Sequence, residues 1–495
     1  MWGLKHLVLI STTCIVALTR AVELDVNSDV SIRDASATYA YGVLTYYTGN
    51  LTGTPVELIG MFPQPYYWWE AGATWGALVD YWAYTGDPSY INTTIQALIA
   101  QLGPENNYMP PARNAELGND DQAFWALAAM TAAEYSFPAS PPDVGSTYPS
   151  YLDIVRNVFD GMITRWDLSS CAGGLKWQIF EANAGYHYKS AIANGGLFQI
   201  SARLARYTGN ATYVEWAERV WGWCERIGLI GRGGEIFDGS DDLLNCTELN
   251  HLQWSYNAGA FLYGAANLYN YTNGSSVWQT RLSGLLTATG VFFTPEENAT
   301  DVLFEQACET RGECNTDQLA FKAFLARWMA KSAVLAPYTA PAIMTLLTTS
   351  ALGAAAACSG PLPPAANDPA TANSTVASSA CGSRWYTRSY DGVTGLGQQL
   401  AALEVTQALL LLRRAGPVPI TLPNVVIATD VVPTTTLGVP HRTATGEASG
   451  PTNAAMGRFA LGEEEGVLGC RILWTRAFDD LLDDEACFQG IWVAG

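Results

Sequence analysis

Charge is scarce in this chain, and positive charge scarcer still. Charged residues make up 15% of the 495, with 26 Lys and Arg against 46 Asp and Glu. A formal net charge of −20 with no basic cluster repels phosphate backbones, so nucleic acid is excluded as a partner. Histidine occurs only four times. No Cys/His spacing resembles a zinc site, and the acids Asp238, Asp241 and Asp242 read as a solvated loop rather than a calcium loop, so no metal is expected. The same shortage argues against a polysaccharide lyase, which needs a Tyr or His base and a group to neutralise an acidic sugar. Gly195-Gly196 follows no strand and lacks a Gly-Lys-Ser/Thr sequel; it is not a phosphate loop, and no cofactor is expected. Period-two alternation is rare, which disfavours a β-rich fold.

The apolar run Leu7 to Leu18 is too short to span a bilayer. With Lys5 and His6 before it and Thr19-Arg20-Ala21 after it, residues 1–21 read as a signal peptide. Asn-x-Ser/Thr acceptors at Asn50, Asn92, Asn210, Asn245, Asn270, Asn273, Asn298 and Asn373 agree with a secretory route. In an oxidising compartment most cysteines should pair. The spacing suggests Cys308 with Cys314, Cys358 with Cys381 and Cys224 with Cys246, leaving Cys171 unpaired. Cys470 and Cys487 lie in the tail.

What the chain has in abundance is aromatic and small apolar residues. Hydrophobic residues reach 49%, with 17 Trp and 24 Tyr, whose flat faces and polar edges suit sugar rings as well as a core. Ala-rich, apolar segments predict helices over 121–134, 191–207, 212–227, 258–268, 318–335 and 397–413. A weak repeat runs through them: Tyr84-Thr85-Gly86-Asp87, Tyr207-Thr208-Gly209-Asn210, Tyr47-Thr48-Gly49-Asn50 and a degraded copy at Tyr271-Thr272-Asn273-Gly274. Gly in the left-handed region would close one helix, and Asp or Asn would cap the next. Such spacing predicts repeated helical hairpins, closed into an all-α (α/α) barrel or toroid over 22–415; an open solenoid, whose repeats are usually shorter and more regular, is the alternative. Residues 416–495 read as a Pro/Thr-rich linker and an acidic tail.

Three segments carry chemistry. In the first, Tyr66, Tyr67, Trp68 and Trp69 precede Glu70. They form either an aromatic wall for a sugar groove or a plug between helices. The second is Asn119-Asp120-Asp121-Gln122, at the start of an apolar helix. Glycoside cleavage needs one carboxylate at the anomeric carbon and another to protonate the leaving oxygen, and adjacent like charges push one pKa up. The helix macrodipole alone is also reason enough for two Asp there. The third runs Gly173-Gly174-Leu175-Lys176-Trp177-Gln178, then Tyr188 and Asn194. Trp177, Tyr188 and Asn194 are candidate subsite residues, with Trp254 in Gln253-Trp254-Ser255-Tyr256-Asn257 a further platform.

Taken in order, the runs at Pro65 to Gly76, Tyr84 to Asp87, Asn119 to Gln122, Gly173 to Gln178, Asn194 to Gly196 and Gln253 to Gly259 resemble glycoside hydrolase family 76, in particular its fungal cell-wall branch of mannan endo-1,6-α-mannosidase-like proteins. The resemblance spans about Val30 to Arg413. It implies an (α/α)6 barrel and retaining cleavage of α-1,6-mannosidic bonds, with Asp120 as nucleophile and Asp121 as general acid/base. Candidate binding residues are Tyr67, Trp68, Trp69, Glu70, Asn119, Gln122, Trp177, Tyr188, Asn194 and Trp254. It also implies a role in wall assembly, with α-1,6-mannan or the mannose core of a GPI glycan as donor and β-glucan as acceptor. The chain is expected to act as a monomer. The alternative is a catalytically weak carbohydrate-binding wall protein on the same barrel. Members of this branch often end in an apolar tail that directs a lipid anchor. Here the last residues are acidic and include Arg471 and Arg476. Secretion to the cell wall is therefore expected, with attachment to the outer face of the plasma membrane left open.

Overall fold

The computed structural model describes residues 21–139, 148–295, 299–361, 379–411 and 413. The expected signal peptide, the expected linker and tail, Cys14, Cys470, Cys487 and the sequons at Asn298 and Asn373 lie outside them. Among the described residues the chain forms twelve α-helices in sequence. They are α1 (Asp29–Leu44), α2 (Trp68–Thr85), α3 (Ile91–Ala100), α4 (Asn119–Glu134), α5 (Tyr151–Thr164), α6 (Ala191–Thr208), α7 (Ala211–Ile227), α8 (Ser255–Tyr271), α9 (Ser276–Ala288), α10 (Gln318–Leu335), α11 (Ala340–Ala357) and α12 (Leu396–Leu411).

The even-numbered helices pack side by side as α2–α4–α6–α8–α10–α12 and back to α2, a closed inner ring. The odd-numbered helices lie outside it, each against its hairpin partner, with α1 on α12. This is the (α/α)6 barrel. Composition explains which helix goes where. α4, α6, α8 and α12 are buried along nearly their whole length, and α4 buries every residue but Asp121. A helix apolar and small all round can only sit in the middle of a fold. α5 and α7 bury one stripe and belong outside.

The repeat works as read at α6–α7. Gly209 is left-handed (φ 71°), and the Asn210 side chain caps α7 by accepting from the Thr212 amide. Elsewhere it differs. Gly86 closes α2 with φ 80°, but Asp87 does not cap α3, which starts at Ile91; its carboxylate takes the Tyr81 hydroxyl and the Ser89 amide instead. α1 ends at Leu44, before Tyr47-Thr48-Gly49-Asn50, so that copy closes no helix.

At the C-terminal halves of the inner helices, buried charges fill the ring. Glu134 binds Arg203 at 2.8 Å and Arg206 at 2.9 Å, Asp80 binds Lys331 at 2.9 Å, and Arg327 joins Glu404. The N-terminal ends of the same helices face the opposite end, where the long connecting loops gather. Those loops hold a small sheet of β1 (Tyr188–Ser190), β2 (Gly239–Asp241) and β3 (Leu249–Asn250), while β4 (Cys358–Gly360) pairs with β5 (Ala380–Cys381) before α12.

Cys308–Cys314 and Cys358–Cys381 are bonded as expected. The third pair is corrected: Cys171 bonds Cys246, and Cys224 is a buried free thiol. Cys224 faces the packing from α7, among Trp221, Trp223 and Val220, where no loop cysteine reaches. Cys171 and Cys246 instead join the α5–α6 and α7–α8 loops at the barrel mouth.

Candidate active site

The candidate catalytic pair, Asp120 and Asp121, sits at the first turn of α4. Just before it, the chain runs extended at Gly118 (φ −95°, ψ 163°) and pairs with the α5–α6 loop. The Asn119 amide donates to Trp177 O at 2.8 Å, and the Ile179 amide to Leu117 O at 3.2 Å. That pairing delivers Trp177, whose Nε1 donates to Asp120 Oδ2 at 2.8 Å. Asp120 Oδ1 accepts from the Asp121 amide at 3.0 Å, and Asp121 Oδ2 from the Gly118 amide at 2.6 Å.

The carboxyl groups converge over Gly118. A Cβ on that residue would lie 2.3 Å from Asp120 Oδ1 and 2.9 Å from Asp121 Oδ2, so these oxygens can be no farther apart than the sum of those distances. The bound fits the ~5–5.5 Å separation of retaining glycosidases better than the ~6.5–9.5 Å of inverting ones. Any side chain at position 118 would drive into Asp120.

Burial dominates the electrostatics. Asp120 is 9% exposed, and loss of water lifts its pKa to about 7, against the opposing pull of the Asp121 amide and Trp177 Nε1. Asp121 is raised well above the usual carboxylate range, first by burial and then by the charge of Asp120. Asp317, at the start of α10, is raised to about 6 by burial although Trp69 Nε1 donates to it at 2.9 Å. Glu70 is raised well above its ordinary value by burial and then by Asp317.

A second polar cluster is built on Asp238. It accepts from Tyr188 Oη at 2.7 Å and Asn250 Nδ2 at 3.2 Å, with Trp254 a further partner. Tyr256 stacks flat on Phe321, centroids 3.8 Å apart, and Trp254 meets Phe321 edge-on. The Tyr256 hydroxyl is raised by burial and then by the charges of Asp238, Asp120, Asp317 and Glu305. Tyr67 and Trp177 leave aromatic surface open, at 40% and 37% exposure.

The structure thus brings together Asp120, Asp121 and Trp177, and gathers Tyr188 and Trp254 on Asp238, with the Trp177 amide donating to Tyr188 O at 2.6 Å. Trp69 and Glu70 join through Asp317, and Glu70 also accepts from the Tyr67 amide at 2.7 Å. Four expected binding residues are placed differently. Trp68 is 4% exposed, stacks on Trp125 and donates to Gln101, and so belongs to the core. Asn194 is buried and clamps the backbone of Leu175 from both sides, at 2.9 and 3.0 Å. Asn119 and Gln122 are buried behind the pair, their polar atoms spent on Lys176 O, Asn107 O and Arg165. The expected solvated loop is corrected: Asp242 is buried and takes Lys176 and His187, and Asp238 is partly buried and takes the Tyr188 hydroxyl. Asp317 was not among the expected residues, although an acid directly before the Ala-rich α10 is a signal akin to the acids in the first turn of α4.

The comparisons follow this geometry. The model of glycosyl hydrolase family 76 matches residues 31–421. The mannan endo-1,6-alpha-mannosidase DCW1 of Saccharomyces cerevisiae is 45% identical over 401 residues, 81% of this chain and 83% of that protein. Its counterpart DFG5 from the same yeast is 40% identical, covering 81% and 82%. The crystal structure of Dfg5 from Chaetomium thermophilum, in complex with glucosamine, superposes with a TM-score of 0.72 at 38% identity, over 79% of this chain and 93% of that one. An α-1,6-mannanase of Salegentibacter, solved as an inactive variant changed at two consecutive aspartates with α-1,6-mannotriose bound, shares the fold: TM-score 0.58, 16% identity, 77% and 99% coverage. The chain belongs to glycosyl hydrolase family 76.

Proposed function

We propose that this protein is an endo-acting glycoside hydrolase and transglycosidase that cleaves α-1,6-mannosidic bonds with retention, in fungal cell-wall biogenesis. The observation that carries the reading is the Asp120–Asp121 pair, converging over Gly118 with one oxygen-to-oxygen gap bounded by the glycosyl-enzyme spacing. Asp120, held by two donors, supplies the carboxylate; Asp121, raised well above the usual range by burial and by the charge of Asp120, supplies the proton. Asp120 Oδ attacks the anomeric carbon while the Asp121 proton passes to the departing glycosidic oxygen. A glycosyl ester on Asp120 remains. Asp121, now ionised, takes a proton from water or from an acceptor hydroxyl, whose oxygen displaces Asp120 and restores the α configuration.

The relatives named as mannan endo-1,6-alpha-mannosidases support α-1,6-mannan as donor, and the mannotriose held by the bacterial mannanase agrees in kind. The mannose core of a GPI glycan is a second donor of the same linkage, and a wall β-glucan the acceptor when transfer replaces hydrolysis. Tyr67, Trp177 and Tyr256 offer ring faces to the sugars, and Asp238 and Asp317 offer acceptors for their hydroxyls. The catalytic unit is taken as 22–415, secreted to the wall and acting as a monomer.

The test is turnover of an α-1,6-mannan oligosaccharide. Asp120→Asn and Asp121→Asn should each lose several orders of magnitude in kcat. Proton NMR of the first product should show the α anomer, and added sugar acceptors should give transfer products. Wild-type rates in both variants, or an initial β anomer, would overturn the assignment.

A further inference from the structure

We propose that Arg165 is a positioning residue for the carboxylate pair, and that Asn119 and Gln122 are the two handles by which it holds the first turn of α4. The proposal rests on the reading of Asp120 and Asp121 as the reacting groups.

Arg165 stands at the end of α5, directly after Thr164. Its Nε donates to Asn119 Oδ1 at 2.8 Å, and its Nη2 donates to Gln122 Oε1. Asn119 and Gln122 are three residues apart and therefore share a face of the helix. Asp120 and Asp121 fall between them, rotated by about 100° per residue away from that face. The edge of a guanidinium that ordinarily meets the two oxygens of one carboxylate is here divided between two amide oxygens of one helical turn. Its rigid spacing fixes how far apart the two handles stand, and with them the pitch of the turn that displays both aspartates.

The handles have little left for a sugar. Asn119 Nδ2 donates to Lys176 O at 2.9 Å and Gln122 Nε2 to Asn107 O at 2.7 Å, and both residues are at most 1% exposed. The Asn119 bond extends the hold: Lys176 precedes Trp177, whose Nε1 donates to Asp120. One guanidinium therefore braces the helix that carries the pair and, through Asn119, the loop that brings Asp120 its side-chain donor.

Among the described residues no carboxylate lies within ion-pair distance of Arg165, and burial pulls its guanidinium down to about 10. Burying a cation against neutral amides is unfavourable compared with filling the space by an apolar side chain. What the arginine contributes that Met or Leu would lack is the planar, multi-donor geometry.

The experiment uses the full chain and an α-1,6-mannan oligosaccharide. Arg165→Ala should lower kcat by about 10²-fold, the cost of a misplacement near 1 Å, with KM little changed. Guanidinium chloride at low millimolar concentration should restore part of that loss, and urea at the same concentration should not. Gln122→Met keeps the volume, removes the handle and is the deciding variant should Arg165→Ala fail to fold; it should likewise lower kcat and spare KM. Wild-type kcat in Arg165→Ala, a loss that guanidinium leaves untouched, or a raised KM at unchanged kcat in Gln122→Met would overturn the proposal. The underlying reading fails separately: turnover by Asp120→Asn would sink it, whereas a dead Asp120→Asn beside a fully active Arg165→Ala sinks only the role of Arg165.

Discussion

Replacing Asp121 by Asn should stabilise the protein at neutral pH while it destroys turnover. In the folded chain the Asp121 carboxyl is pushed well above its ordinary range by burial and by Asp120. In the unfolded chain it titrates near 3.9. A group whose pKa rises on folding favours the native state below the unfolded value and loses that advantage as pH climbs. If the folded chain kept the proton entirely, the disadvantage at pH 7 would be about 4 kcal/mol, three units at ~1.36 kcal/mol each. Asp121 is only partly buried, so water screens some of this, and the relief on substitution should be about 1–3 kcal/mol. Asn loses nothing in exchange, because its amide oxygen can take the Gly118 donor that Asp121 Oδ2 holds at 2.6 Å. Asp120→Asn is the built-in contrast. Each Asp120 oxygen serves a different donor, and an amide can serve only one. The orphaned N–H costs roughly 1–3 kcal/mol and should cancel most of the gain. Urea midpoints of wild type and both variants at pH 4 and pH 7 decide the matter. The reasoning requires a higher midpoint for Asp121→Asn at pH 7 that shrinks toward zero at pH 4. An equal gain at both pH values, or none at pH 7, refutes it.

Three further outcomes follow. The rate should rise as pH passes about 7, where Asp120 loses its proton, and fall at higher pH as Asp121 loses its own; Trp177→Phe, which removes the Nε1 donor, should move the rising limb upward in a pH–rate profile. Glu134, opposed by burial but held down to about 2 by Arg203 and Arg206, adds stability that is complete above about 4.3 and lost as pH falls toward 2; Glu134→Gln should cost about 3–5 kcal/mol in urea melts at pH 7, because two guanidinium groups lose their buried carboxylate. Peptide mapping without reduction should join Cys171 to Cys246 and leave Cys224 alkylatable only after unfolding, and Cys171→Ser should cost about 2–4 kcal/mol.

The barrel was legible because its inner helices are extreme in composition. α4, α6, α10 and α12 are Ala-rich and buried on nearly every face, and their predicted bounds fall within a few residues of the observed ones. The rest were less visible: the outer α1, α3, α5, α9 and α11 were not singled out, nor was the inner α2, whose start was read as an aromatic cluster. α5 buries one stripe, and the short α3 few side chains, so surface residues dilute their signal. The disulfide error has the same root. Spacing favoured the near pair of Cys224 and Cys246, but a bond depends on which loops the barrel closure brings together, and Cys171 and Cys246 are 75 residues apart. Asn119, Gln122 and Asn194 failed as binding residues for a related reason. An amide side chain reads identically whether it faces a sugar or holds a backbone, and only the partners Arg165, Asn107 and Leu175 decide.

On the proposed assignment, the two readings of Asp120-Asp121, chemistry and macrodipole, are compatible once both effects are weighed at the same turn. The N-terminus of α4 presents a partial positive charge of about half a unit, worth ~0.3–1 kcal/mol to one anion and up to ~2 in partly buried geometry. That is enough to favour one carboxylate, together with the Asp121 amide and Trp177 Nε1 on Asp120. It is too little for two, since burial raises both groups and the charge of the first raises the second further. A helix start that tolerates one negative charge and refuses the next keeps one proton on a pair of acids. Splitting a glycosidic bond with retention asks for that state, a nucleophile and an acid side by side. The dipole is thus part of the chemistry rather than its rival. Glu116, close before the same turn, adds its own small push on Asp121 and tilts the proton further toward it.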